Sequence, residues 1–143
     1  MSTRANVVIK QGEQEATLYH HHDGYPSGVG AGLFSYINEI LEREDADEIM
    51  KSPKSLAKYL ADIGNDEYEI EYSLSGDIEF LYIVNLDKRE ITCFSTDIWD
   101  YEGEDLIEDE KEISGVKKKI FTVQFGCDIN IAEYDSMPTV YDD

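Results

Sequence analysis

Apolar residues recur along this chain with two periods, and the switches between them mark out its elements. Val7 and Ile9 alternate with Val8 and Lys10, which predicts a strand beginning near Ala5. Gln11-Gly12-Glu13 is a turn, and Thr17-Leu18-Tyr19-His20 resumes as a second strand, so the opening reads as a hairpin. The histidines His20, His21 and His22 are expected to continue that strand, with Asp23-Gly24 ending it. The period then becomes helical. Leu33, Phe34, Ile37, Ile40 and Leu41 form one stripe. After a charged connection from Glu42 to Glu48, Ser52-Pro53 supplies an N-cap and a proline at the first helical position. Leu56, Tyr59, Leu60 and Ile63 face inward on this second helix, and Gly64 is a stop signal.

Alternation returns at Tyr68, Ile70, Tyr72 and Leu74, interleaved with Glu67, Glu69, Glu71 and Ser73, the pattern of a strand with one solvated face. Gly76-Asp77 turns the chain. Residues 78–86 (IEFLYIVNL) are apolar on both parities, which predicts a central strand, and Ile91 to Ser95 pairs back after the Asp87–Glu90 turn. A meander of three antiparallel strands is therefore expected over 68–95. Lys117 to Phe125 is a further strand, which the alternation of Cys127, Ile129 and Ile131 extends or follows, and residues 135–143 read as a loose tail. The pattern predicts one α+β domain spanning 1–143, in the order ββ-αα-βββ-loop-β(β). Its architecture is a two-layer sandwich, an antiparallel sheet with two helices on one face.

Charge changes the picture most. The 143 residues include 12 Lys or Arg and 32 Asp or Glu, a net charge of −20. Such a surface repels nucleic acid and anionic membrane, since Lys and Arg supply phosphate binding, and it favours basic partners. Residues through Leu41 carry a net of −2, leaving −18 beyond them. The densest block, Trp99 to Glu112, holds eight acids and one lysine. Glu104, Asp105, Glu108 and Asp109 are its candidate partner-binding residues: clustered carboxylates imitate nucleic-acid phosphates and can occupy a basic cleft. The alternative is a solvated loop. The block does not match a calcium-binding EF-hand loop. There is no apolar run of transmembrane length and no signal-peptide pattern. Cys93 and Cys127, in apolar strand-like surroundings, read as buried free thiols, and a cytoplasmic setting is expected.

The other candidate chemistry is concentrated in Thr17 to Gly32 (TLYHHHDGYPSGVGAG), which holds all three histidines and four of the ten glycines. On a strand, His20 and His22 share a face, and with Asp23 they could ligate zinc or another divalent metal, or supply a general base. The competing reading is a strand end packed against neighbours or water. Gly28, Gly30 and Gly32 precede a helix, where backbone amides can cradle phosphate or carboxylate, with Tyr25 beside them as a ligand contact. The spacing is GxGxG with no following GK[ST], so it is neither a dinucleotide fingerprint nor a P-loop. Close packing is the other explanation of these glycines.

The opening Ser2-Thr3-Arg4-Ala5-Asn6-Val7 and the later Tyr19-x-His21-x-Asp23-Gly24-Tyr25-Pro26 resemble segments of a group of small uncharacterised bacterial and phage proteins. Those proteins share an opening TRAN strand and a DGYP turn. The resemblance implies a bacterial or phage context and brings no activity with it. Two functions are therefore expected to compete. One is an acidic binding module for a basic, nucleic-acid-handling protein. The other is a small-ligand, anion or metal site in 20–32, with hydrolysis as its furthest version.

Overall fold

The computed structural model describes residues 3–63, 68–71, 78–95 and 118–127. Strand β1 (Ala5–Gln11) and strand β2 (Gln14–His20) form the expected hairpin, with Ala5 opposite His20 and Gln11 opposite Gln14. The two-residue turn between them opens on Gly12 at φ +58°, a region glycine enters without a Cβ penalty. A π-helical turn (Pro26–Gly30) runs directly into α1 (Ala31–Leu41). A short α2 (Ala46–Ile49) occupies the charged connection, and α3 is Pro53–Ile63. Ser52 caps α3 as its sequence predicts: its hydroxyl accepts the Ser55 amide at 3.1 Å. The remaining strands are β3 (Tyr68–Glu71), β4 (Phe80–Asn85), β5 (Glu90–Ser95) and β6 (Lys118–Gln124).

The six strands form one sheet in the order β3-β2-β1-β4-β5-β6, antiparallel at every pair except β1 with β4. Residues 78–86 are interior, as their double-sided apolar pattern requires. The expected three-strand meander is corrected. β3 pairs with β2, not with β4, and the meander is instead β4-β5-β6. The reason lies in burial. β1 and β5 are also buried on both faces, and these two strands flank β4 at the centre. The acid-alternating β3 is the outermost strand on that side among the described residues. Its predicted continuation through Tyr72 and Leu74 lies outside the described residues.

Among the described residues, every helix buries its apolar side on the same sheet face. Leu33, Phe34 and Ile37 of α1, Ile49 of α2 and Leu56 and Leu60 of α3 join Val7, Ile9, Leu18, Tyr82, Val84 and Phe121 in one core. The opposite face carries a second buried cluster of Val8, Ile78, Leu81, Ile83 and Phe94, with Tyr19 packed against it. No described helix is long and apolar enough to cross a membrane. Of the two cysteines, Cys93 is buried as expected. Cys127 is exposed, because it follows the turn at Gly126 rather than continuing β6.

Candidate functional site

The strand at the heart of the candidate site ends earlier than its histidines suggest. His20 is its last residue, opposite Ala5 on one side and Tyr68 on the other. It shares the helix-covered face with Leu18, and its side chain is buried. The imidazole meets the Tyr68 ring edge-on, centroids 4.7 Å apart, and its Nδ1 hydrogen-bonds the His22 carbonyl. Beyond it the chain leaves the sheet. His21, His22 and Asp23 are exposed, and Asp23 adopts φ +54°, a left-handed conformation that aspartate tolerates. Outside, Tyr19 Oη and His21 Nδ1 lie 2.9 Å apart, and the His21 and His22 rings meet edge-on with centroids 4.6 Å apart.

The next residues are locked to the N-terminal strand. The Gly24 amide donates to the Thr3 carbonyl at 2.9 Å, and its carbonyl accepts the buried Tyr82 hydroxyl at 2.6 Å. A Cβ on Gly24 would stand 2.9 Å from the Ala5 Cβ, so only glycine allows this approach. Asn6, fully buried, donates its Nδ2 to the Leu18 carbonyl at 2.9 Å. The TRAN strand and the DGYP turn are thus two halves of one packing arrangement.

The loop that follows is closed on itself. The Gly28 amide donates to the Tyr25 carbonyl at 2.9 Å and the Val29 amide to the Asp23 carbonyl at 2.8 Å, while the Ala31 amide is shared between the Pro26 and Gly28 carbonyls. Tyr25 donates its hydroxyl to Asp23 Oδ1 at 2.9 Å. Val29 and Pro26 are buried, the former in the main core.

This geometry decides what the stretch can do chemically. Among the described residues no group of three His, Cys, Asp or Glu side chains is placed to hold a metal ion. The expected set of His20, His22 and Asp23 is not brought together, because the strand ends at His20. The two-residue periodicity that would align His20 with His22 does not extend that far. In the glycine loop the amides of Gly28, Val29 and Ala31 serve carbonyls of the loop and are not turned toward an anion. Gly28 is a packing residue, since a Cβ there would lie 2.0 Å from the Asp23 carbonyl oxygen. Gly30 is buried in the π-helical turn. Around Gly32, by contrast, a Cβ would meet no atom within 4 Å.

The Tyr82 hydroxyl is the keystone of this lock, and removing it has a defined consequence. Tyr82→Phe is expected to cost about 1–3 kcal/mol, since the buried Gly24 carbonyl loses its partner and the aromatic packing stays. Urea denaturation gives the cost. Native-state hydrogen exchange should show the Gly24 and Val29 amides opening faster than those of β4. Unchanged stability and exchange would mean that the loop is held by other contacts.

The candidate partner-binding residues Glu104, Asp105, Glu108 and Asp109 lie outside the described residues. The described surface carries a second acidic locus that the sequence reading treated only as a connection. Glu39, Glu42, Glu44, Asp45, Asp47 and Glu48 are all exposed around the end of α1 and along α2, with Arg43 as the single base. Their density in ten residues was the available signal. Arg43 engages Asp45 through two hydrogen bonds, at 2.7 and 3.1 Å. The hydrogen bond between them holds the Asp45 carboxyl below the usual carboxylate range and the Arg43 guanidinium above its own. A depressed carboxylate stabilises the fold above its unfolded pKa and loses that contribution as pH falls through the lowered value. Both partners are about half exposed, so solvent screens the pair.

No protein-family model matches the chain, and neither the curated proteins nor the solved structures include a match to it.

Proposed function

We propose that this protein is an acidic binding module that engages a basic partner protein, of the kind that handles nucleic acid, through its carboxylate-rich surface. The observation that carries this reading is the net charge of −20, of which −18 lies beyond Leu41. Part of that charge stands exposed on the α1–α2 segment with one base among six acids. A basic cleft that normally takes phosphates meets the same sign of charge on such a surface. Association is then steered by long-range attraction more than by buried area. The histidine-glycine stretch supports this reading indirectly: its inward groups are occupied in holding the fold.

The test is a salt series on the full chain bound to a partner captured from its native host, with duplex DNA as competitor. Raising ionic strength from about 0.05 to about 0.3 M shortens the Debye length from about 14 to about 6 Å. The association rate should fall about tenfold or more, and DNA should displace the module. Replacing Glu104→Gln, Asp105→Asn, Glu108→Gln and Asp109→Asn should weaken binding, with thermal melts confirming that the variant stays folded. A partner retained equally at high salt and by the neutralised variant would overturn the proposal.

A further inference from the structure

Asp23-Gly24 is the only Asp-Gly pair in the chain, and the bond within it has a reactivity that its surroundings restrain. A glycine after aspartate carries no Cβ to obstruct the approach of its backbone nitrogen to the aspartate side-chain carbon. Here Asp23 is exposed and left-handed, at φ +54°, while Gly24 is buried. The folded protein holds every group of that reaction elsewhere. The Gly24 N–H donates to the Thr3 carbonyl at 2.9 Å, and the space beside its Cα is filled by Ala5 and by the Thr3 and Arg4 backbone. The Asp23 carbonyl, which must turn as a ring closes, accepts the Val29 amide at 2.8 Å. The Asp23 carboxylate accepts the Tyr25 hydroxyl at 2.9 Å, and the Tyr82 hydroxyl holds the Gly24 carbonyl at 2.6 Å.

We propose that Asp23-Gly24 is a site of spontaneous isoaspartate formation, gated by this lock and destroying it once converted. The reaction waits on local opening of the loop, so its rate follows the population of the opened form. In that form the Gly24 nitrogen attacks Cγ of the protonated Asp23 carboxyl. A C–N bond forms, and the side-chain hydroxyl leaves with the amide proton as water. Water then adds to either carbonyl of the five-membered imide. Cleavage between Cγ and the nitrogen restores aspartate. Cleavage between the nitrogen and the former peptide carbon leaves Gly24 joined through Cγ, with the old Asp23 carbonyl carbon as a free carboxylate. Nothing is oxidised or reduced, and water is the one co-reactant. The main chain is then one carbon longer between the Asp23 Cα and the Gly24 nitrogen, and the acceptor of the Val29 amide has left it. Gly24 can no longer meet Thr3 and Tyr82 in the native register. The inference is independent of the acidic-module reading, since it follows from the lock alone.

The test ages the full chain in warm neutral buffer, with and without denaturing urea, and reads isoaspartate at residue 23 by peptide mapping and mass spectrometry. The unfolded chain should convert at least about tenfold faster than the folded one. In native buffer Tyr82→Phe should convert at least about fivefold faster than the parent, in step with faster exchange of its Gly24 amide. If that variant does not fold, the parent chain with and without urea still decides the gate. Equal conversion of folded and unfolded chains would overturn the gate, as would a Tyr82→Phe chain whose Gly24 amide exchanges faster while conversion does not. Absence of isoaspartate at residue 23 from the unfolded chain would overturn the site itself. The converted chain, separated by chromatography, should unfold at a lower urea concentration than its parent. An unchanged midpoint would overturn the claim that conversion breaks the lock.

Discussion

Replacing Gly28 with alanine is expected to leave the protein largely unfolded at moderate urea, while replacing Gly32 with alanine leaves it as stable or more so. The two glycines are four residues apart, Gly28 in the π-helical turn and Gly32 in the first turn of α1, so the contrast is diagnostic. At Gly28 a Cβ would come within 2.0 Å of the Asp23 carbonyl oxygen and 2.8 Å of the Asp23 Cβ, closer than any real contact. The Asp23 carbonyl cannot simply move aside, because it accepts the Val29 amide at 2.8 Å. The loop must open, releasing Val29 from the core and breaking the contact to the N-terminal strand. A loss of about 3 kcal/mol or more is expected, a large share of the 5–15 kcal/mol typical of a domain. At Gly32 nothing lies within 4 Å of the added methyl, and the residue is already helical. Alanine there should gain about 0.5–1 kcal/mol by restricting the unfolded chain. Urea midpoints for the two variants settle the matter. An anion-cradling loop would instead lose ligand affinity in both variants with little change in either midpoint.

Leu81→Ala should cost about as much as Leu56→Ala, in the range of about 2–5 kcal/mol. Leu56 belongs to the core between α3 and the sheet, where such a loss is expected of any two-layer fold. Leu81 points to the other face, which a two-layer arrangement would leave wet, yet it is fully buried together with Val8, Ile83 and Phe94. Its truncation therefore measures whether the sheet carries a core on both sides. A cost below about 1 kcal/mol would show that this face is effectively solvated.

Much of this fold was legible in the chain because its elements have clean periods. Leu33, Phe34, Ile37 and Ile40 announce one helix, and Ser52-Pro53 with Leu56 and Leu60 another, since each signal is satisfied within a few residues of itself. The double-sided apolar run at 78–86 placed β4 in the interior for the same reason. Its neighbours were not legible. Gly76-Asp77 looks like a hairpin turn, but β1 and β3 both flank β2 antiparallel, and β4 runs parallel to β1. β3 and β4 therefore run in the same direction. Which strands pair is settled by matching buried faces across the whole sheet, a global condition that no local turn signal contains.

The candidate site divides along the same line. Sequence singled out the stretch, and in the structure His20, Asp23, Gly24 and Gly28 are tied together by its own contacts. Their role was decided only in three dimensions. Whether His20 and His22 share a face depends on where β2 stops, and that is set by pairing with Ala5 and Tyr68 rather than by the His-His-His run itself. Whether a glycine loop offers amides to an anion depends on whether its own carbonyls have taken them. Here those of Tyr25, Asp23, Pro26 and Gly28 have. Composition alone fixed the net charge, because charge sums over residues whatever their arrangement. The place of Glu69, Ile70 and Glu71 in the sheet could not be seen in the same way. It exists only once the order of strands is known, and that order follows from long-range pairing which the tertiary structure alone supplies.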